Sequence, residues 1–213
     1  MLKIHHLVYS RSDRIVWLAE ELGLAYELVK HHRDPQTFRA PPSLWTVSPM
    51  GKAPVIQDSD TTVCESGAVV EYLLDHYGKG SLRPKVNTPE YVQYLHWMHA
   101  AESTLMTPVL MDMLSKMTQV DAPLFKGFLD GEYKTLFDYL GKTVQKHAYI
   151  AGPDFTAADI MVSYPLRMAD NTALPIPGLQ SAAPFAEHAE ITAYLNRLRA
   201  RPAYQRAEQK CLP

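Results

Sequence analysis

Residues 2–9 form a short dense run of apolar and β-branched side chains and read as a strand. From residue 15 the apolar positions fall instead at helical spacing, at Ile15, Leu18, Ala19 and Leu22, and Gly23 ends that helix. Residues 25–29 read as a second strand. The opening is therefore strand, helix, strand: a βαβ unit whose strands are expected to be parallel neighbours joined by a right-handed crossover. Residues 31–48 hold Pro35, Pro41 and Pro42 with little periodicity, which predicts a long loop with one short helix at most. Two short strands, near 54–57 and 62–64, flank Asp58, Ser59 and Asp60 and predict an antiparallel hairpin. Ser66 is then expected to cap a helix that places Val70, Leu73, Leu74 and Tyr77 on one face and ends at Gly78.

Residues 79–88, KGSLRPKVNT, have the composition of a linker, and beyond them strand signals nearly vanish. Thr88, Pro89 and Glu90 combine a capping hydroxyl, proline at the first helical position and an acid in the first turn. The helix they open carries Tyr91, Tyr94, Leu95 and Met98, resumes at Met106, Val109, Leu110 and Met113, and is expected to bend at Pro108. Asp121 is expected to open another helix running to about Lys146. Thr156 with Asp159 predicts a capping-box-like start, Asp replacing the usual Glu or Gln, for a helix that Pro165 should kink or shorten. Ile191, Leu195 and Leu198 mark a further helix, and Pro202 starts a last one. The expected organisation is an α/β domain over residues 1–78, built as βαβ then ββα, a linker over 79–88, and an all-helical domain over 89–213, with no internal repeat.

Composition narrows the functional classes. A chain of 213 residues fits two modest domains, and 46% hydrophobic against 21% charged residues is ordinary for a globular protein. The formal net charge of −2, with both signs interspersed, gives no footprint for nucleic acid or an anionic membrane. The first residues lack the pattern of a signal peptide, and no window reaches the ~18 apolar residues of a membrane span. Cys64 and Cys211 form no CxxC pair, which fits a reducing, cytoplasmic setting.

The first candidate for chemistry is YSRSDR, residues 9–14, where the first strand turns into the first helix. A helix N-terminus favours an anion, and a thiolate would be stabilised there. A free thiol is only about 3% ionised at neutral pH. Lowering its pKa by about two units takes roughly 2.7 kcal/mol, within reach of one charge-assisted hydrogen bond. Ser10 or Tyr9 could donate that bond; the plainer alternative is that Ser10 and Ser12 cap the helix. SPMGKAPVI, residues 48–56, and ESGAVVEYL, residues 65–73, add to the picture. A cis bond between Ala53 and Pro54 would leave backbone groups free to pair with a peptide ligand. Lys52 could hold a carboxylate, and Glu65 with Ser66 an ammonium and a second carboxylate, a set that fits a small peptide zwitterion. Each piece alone has a plain reading: an edge proline, a solvated lysine, a helix cap.

Taken in order, the serine-bearing helix start, GKAPVI, ESGAVVEYL, the proline-bearing linker and the all-helical second half resemble the glutathione transferases over essentially the whole chain. YSRSDRIVWLAEELGLAYE and HAAESTLMTP look like the serine-motif fungal and bacterial branch, theta- or beta-like. The resemblance implies a thioredoxin-like first domain and an enzyme that activates glutathione as thiolate for attack on a small apolar electrophile or a peroxide. Glutathione is then a co-substrate, with no other cofactor and no metal. It further implies that Ser10 hydrogen-bonds the sulfur, Tyr9 being the competing assignment. Ala53 would pair with the cysteinyl backbone ahead of a cis Pro54, Lys52 would meet the glycyl carboxylate, and Glu65 and Ser66 would hold the γ-glutamyl end, with Ser12 also in the binding set. A homodimer is implied as well, as are two alternatives: a binding module of the same fold with little catalysis, and a glutathione-dependent peroxidase or reductase, the reductase needing a cysteine near position 9 or 10.

Further residues have both a functional and a plainer reading. His31, His32 and Arg33 lie in the long loop, where Arg33 could help hold the glycyl carboxylate or simply be solvated. Glu102 interrupts an apolar stripe, where a charge is usually paired; the resemblance implies that it could reach a partner subunit's glutathione, the alternative being an intersubunit or interhelical salt bridge. His96, His99 and Glu102 recur every three residues, but such steps rotate around a helix and do not predict a metal site. Met98, Met106, Met111, Met113 and Met117 fit a promiscuous apolar pocket or a core. The second substrate is expected in an apolar cleft between domains lined by Tyr9, the bend near Pro108 and the region of Tyr164.

Overall fold

The computed structural model describes residues 1–119, 122–170, 172–173 and 184–213. The elements are β1 (Lys3–Leu7), α1 (Asp13–Glu21), β2 (Glu27–His31), α2 (Pro42–Trp45), β3 (Val55–Asp58), β4 (Thr61–Cys64), α3 (Ser66–Tyr77), α4 (Pro89–Ala100), a π-helical turn (Ala101–Leu105), α5 (Met106–Thr118), α6 (Pro123–Lys146), α7 (Ala157–Ala169), α8 (Ala189–Arg199) and α9 (Pro202–Cys211). They fall into two units, Met1–Leu82 with Arg199–Pro213, and Arg83–Leu198. Among the described residues no helix is long and apolar enough to cross a membrane.

In the first unit the sheet runs in the order β2-β1-β3-β4. β1 pairs parallel with β2 and antiparallel with β3, and β3 pairs antiparallel with β4. Ile4 and Ile56 of the sheet, Ile15, Leu18 and Ala19 of α1, and Val70 and Leu73 of α3 are fully buried, so the expected apolar stripes make the core. The register decides where the loops emerge. Leu7 stands beside His31, His5 beside Val55, and Val55 beside Cys64. The C-terminal ends of β1, β2 and β4 and the N-terminal end of β3 therefore lie at one end of the sheet.

β2 lies two residues later than its apolar pattern suggests. The strand ends on His31, a polar residue that can be buried because His5 Nδ1 meets its Nε2 at 3.1 Å and Ser43 Oγ meets its Nδ1 at 2.9 Å. Burial, with His5, His6 and His32 nearby, holds the His31 imidazole below its ordinary value.

The last helix was expected with the helical half, but its contacts are with α1 in the first unit. Tyr204 meets Trp17 edge-on with ring centroids 5.0 Å apart, and Arg201 pairs with Glu21 through Nε at 2.6 Å and Nη2 at 2.9 Å. Arg206 Nε meets Glu20 at 2.8 Å, and Lys210 and the Tyr26 hydroxyl meet the same carboxylate. Two acids at the C-terminal end of α1 oppose the helix dipole and need such cations. Burial raises the Glu20 pKa, but hydrogen bonds from Lys210, Arg206 and Tyr26 outweigh it and bring it to about 2. The folded value lies below the ordinary 4.5, so the stabilisation is present above pH 4.5 and is lost as pH falls towards 2. Glu20→Gln is expected to cost about 1–2 kcal/mol at neutral pH, allowing for solvent screening, with the deficit vanishing at about pH 2. Denaturant unfolding across that range checks it; equal stability of the two proteins at neutral pH would contradict it.

In the second unit, Thr88 Oγ1 caps α4 by accepting from Tyr91 N at 3.2 Å. The break in the long helix precedes Pro108 and takes the form of the π-helical turn. Proline cannot donate to the carbonyl four residues back and its ring crowds it; here that carbonyl is on Thr104, inside the turn. α6 begins at Pro123; the expected start at Asp121 lies outside the described residues. Pro165 neither ends nor shortens α7, which continues to Ala169. Met106, Tyr164 and Ala173 form a buried cluster with Leu110 and Met168 against it, so Tyr164 is a core residue of this unit.

Candidate active site

The turn after β1 carries the first candidates. Tyr9 has φ 58°, an uncommon value for a side-chain-bearing residue, and Arg33 holds the turn from outside. The Arg33 guanidinium donates to the carbonyls of Val8 at 3.1 Å, Tyr9 at 2.9 Å and Phe38 at 3.0 Å. Those bonds make Arg33 a brace for the turn, a role its place in a basic loop does not suggest.

Ser10 is only 7% exposed and Ser12 is fully buried. Ser12 occupies the N-cap position of α1 yet makes no side-chain cap. Its Oγ instead accepts from Leu7 N at 3.1 Å and lies 2.8 Å from His6 Nδ1 and 2.7 Å from Ser10 Oγ. The capping alternative for these serines is replaced by a buried hydroxyl pair linking β1 to the head of α1. Ser10 Oγ also accepts from Ser12 N at 3.2 Å. A ligand atom that reaches Ser10 meets a hydroxyl held in place and largely removed from water, beside a helix N-terminus.

Ala53 precedes a cis Pro54, and Pro54 leads directly into β3. Ser48 closes the preceding turn: its Oγ donates to Lys52 O at 2.9 Å and accepts from Lys52 N at 3.0 Å. The Lys52 side chain is exposed. Glu65, not Ser66, is the N-cap residue of α3, with φ 74°, ψ 129° and no side-chain cap. Such a backbone costs on the order of 1–3 kcal/mol and leaves the exposed carboxylate standing at the sheet end. Ser66 is the first helical residue and its Oγ accepts from Arg14 Nη2 at 2.8 Å, which is why it does not cap. Arg14 is fully buried and so ties the heads of α1 and α3 together behind the site.

Strand register thus gathers Tyr9, Ser10, Ser12, Arg33, Lys52, Ala53, Pro54, Glu65 and Ser66 at one end of the sheet. Glu102 belongs to the second unit, half-buried on its π-helical turn. Met98 and Met106 are core residues there, while Met111 lines an apolar pocket of about 440 Å³ with Leu114 and Phe125. His96 and His99 are exposed. Cys64 is a poor candidate for thiol chemistry: burial and the neighbouring Glu65 push its pKa up, against a hydrogen bond from Ser48.

Two contributors escaped the reading of the sequence, His6 and Arg14. Their signal was a polar residue at an inward-facing position, a histidine within an apolar strand and an arginine on the apolar face of α1.

The model of the glutathione S-transferase N-terminal domain family matches residues 4–84. Glutathione S-transferase 3 of Schizosaccharomyces pombe is 33% identical over 179 residues, spanning 78% of this chain and 73% of that protein. Glutathione S-transferase 1 of Saccharomyces cerevisiae is 26% identical over 231 residues, spanning 99% of this chain and 95% of that one. A crystal structure of a glutathione S-transferase from Actinobacillus pleuropneumoniae superposes with a TM-score of 0.85 at 32% identity, covering 99% of this chain and 93% of that chain.

Proposed function

The chain belongs to the glutathione S-transferase family, with glutathione as co-substrate, and from that premise we propose that it activates the glutathione thiol through Ser10. One observation carries the reading: a buried serine hydroxyl at the head of α1, at the same end of the sheet as the Ala53–Pro54 edge and the acidic start of α3. Glutathione then lies with its cysteinyl backbone along Ala53 and its sulfur at Ser10. The glycyl carboxylate falls towards Lys52, and the γ-glutamyl ammonium towards Glu65. Arg33 positions the Tyr9–Ser10 turn from behind, and Arg14 positions Ser66.

Rate comes from raising the thiolate fraction and from holding it against its target. The second substrate is a small apolar electrophile or a peroxide, and the working form is a homodimer, both supported by family membership. A reductase of the cysteine type finds no support in Cys64.

Calorimetric titration with glutathione tests the binding reading. The native protein is expected to bind, and Glu65→Gln to weaken binding about 10- to 100-fold, the loss of one charge-assisted hydrogen bond to the ammonium. Native protein that takes up no glutathione overturns the assignment; unchanged affinity in the variant removes Glu65 from it.

A further inference from the structure

Behind Ser10 the hydroxyls continue inward to a histidine. His6 is 1% exposed. Its Nε2 lies 3.2 Å from the carbonyl oxygen of Cys211 on α9, and its Nδ1 lies 2.8 Å from Ser12 Oγ, which lies 2.7 Å from Ser10 Oγ. A carbonyl only accepts, so Nε2 carries the proton and Nδ1 presents a lone pair. The Ser12 hydroxyl has two acceptors within reach, the Leu7 carbonyl at 3.4 Å and Nδ1 at 2.8 Å, and donates over the shorter contact to Nδ1, so the proton in the short contact between the serines is that of Ser10. At rest the Ser10 hydroxyl points inward, and the oxygen is left to accept a proton from a ligand.

This direction matters once a thiolate is bound. If Ser10 turns its proton to the sulfur, the serine oxygens at 2.7 Å need one from Ser12, and the Ser12 oxygen then faces Nδ1. Moving the single ring proton to Nδ1 would leave Nε2 and the Cys211 carbonyl as two facing acceptors. Only a doubly protonated His6 satisfies every contact. We propose that His6 is a positioning residue that takes up the thiol proton through Ser12 and Ser10 as the thiolate forms. This rests on the reading of Ser10 given above.

The step balances without any other reactant. The sulfur proton passes to Ser10 Oγ, the Ser10 proton to Ser12 Oγ, and the Ser12 proton to His6 Nδ1. Every hydrogen bond in the row reverses direction, and a thiolate and an imidazolium remain at its two ends. When the thiolate has bonded to the electrophile, the proton leaves His6 to product or to water.

The surroundings of His6 suit a base that is neutral at rest. Burial holds its pKa below the ordinary value, opposed by the Asp13 carboxylate at the head of α1 and by the Cys211 carbonyl; Lys30 on β2 and His32 just beyond it add to the lowering. His31 interacts with His6 as well and is itself held low. Neutral His6 keeps its lone pair available, and the thiolate supplies the opposite charge that stabilises the imidazolium.

Protons released to buffer are counted by titrating native protein with glutathione in buffers of different ionisation enthalpy, while ultraviolet absorbance reports the thiolate formed. Thiolate is expected to appear with far less than one proton released. His6→Gln keeps a donor for Cys211 and an acceptor for Ser12 but has no base. It is expected to release about one proton per thiolate, raise the pKa of the bound thiol by about one unit and lower kcat/KM about tenfold at neutral pH. KM for glutathione should move little and the deficit should close at alkaline pH, a pattern a purely structural role would not produce.

Ser12→Ala, which cuts the row and leaves His6 in place, is expected to raise the thiol pKa in the same way. A full proton released by native protein, or a His6→Gln pH profile equal to the native one, overturns the proposal. The native proton count decides alone if the His6 variant does not fold. Absence of glutathione uptake, or uptake without thiolate, overturns the Ser10 reading itself; thiolate formed with a proton lost to buffer overturns only the role of His6.

Discussion

Ser10→Ala is expected to lower kcat/KM for conjugation of glutathione to a chromogenic aryl halide about 10- to 100-fold at neutral pH. The serine lies against Ser12 and its oxygen is held by the Ser12 N–H, so only the hydroxyl proton has to turn for Ser10 to donate to the sulfur. One hydrogen bond to a charged group is worth about 1.5–3 kcal/mol, or about one to two units of thiol pKa. The variant is therefore expected to recover activity as pH rises through the new thiol pKa, since hydroxide then does what the serine no longer does. Tyr9→Phe keeps the backbone turn that Arg33 braces and is expected to alter mainly the affinity for the second substrate. Steady-state kinetics over a pH series separates the two. The reverse pattern, with Tyr9→Phe losing turnover and Ser10→Ala losing little, would transfer the catalytic role to Tyr9.

Asp159→Ala is expected to destabilise the helical unit by about 4 kcal/mol, the largest effect on folding that the structure suggests. Its carboxylate accepts from Ile150 N at 2.8 Å, Thr156 N at 2.8 Å, Thr156 Oγ1 at 3.1 Å and Tyr194 Oη at 2.7 Å, with Asp159 and Tyr194 both fully buried. One side chain thus starts α7, fixes the turn before it and anchors α8. Alanine leaves several buried donors unpartnered at once, each costing about 1–3 kcal/mol if no water replaces the acceptor. For a chain of this size the thermal midpoint should fall by about 8–16 °C. A fall of less than about 3 °C in a thermal melt would contradict the network's importance.

Much of this architecture was legible from periodicity. The switch from strand to helical spacing between residues 9 and 15, the hairpin around Ser59 and the Thr88–Pro89–Glu90 start are local signals, and local chemistry decides them. What escaped depends on distant partners. A serine before a helix reads as a cap, but Ser12 turns its oxygen to Leu7 and His6 because a buried imidazole lies within reach. His31 ends a strand that its own polarity argues against, since His5 and Ser43 satisfy it from 26 and 12 residues away. The docking of α9 likewise follows from cations facing Glu20 and Glu21. The candidate site was readable as separate motifs; strand register is what brings them to one end of the sheet.

The most direct test is the ionisation of glutathione on the enzyme, followed by thiolate absorbance against pH for the native protein and Ser10→Ala. Bound thiol in the native protein is expected to ionise about two units below free glutathione, and the variant to give back one to two of those units. Bound thiol that titrates at its free value in the native protein, or at one value in both proteins, would contradict the account.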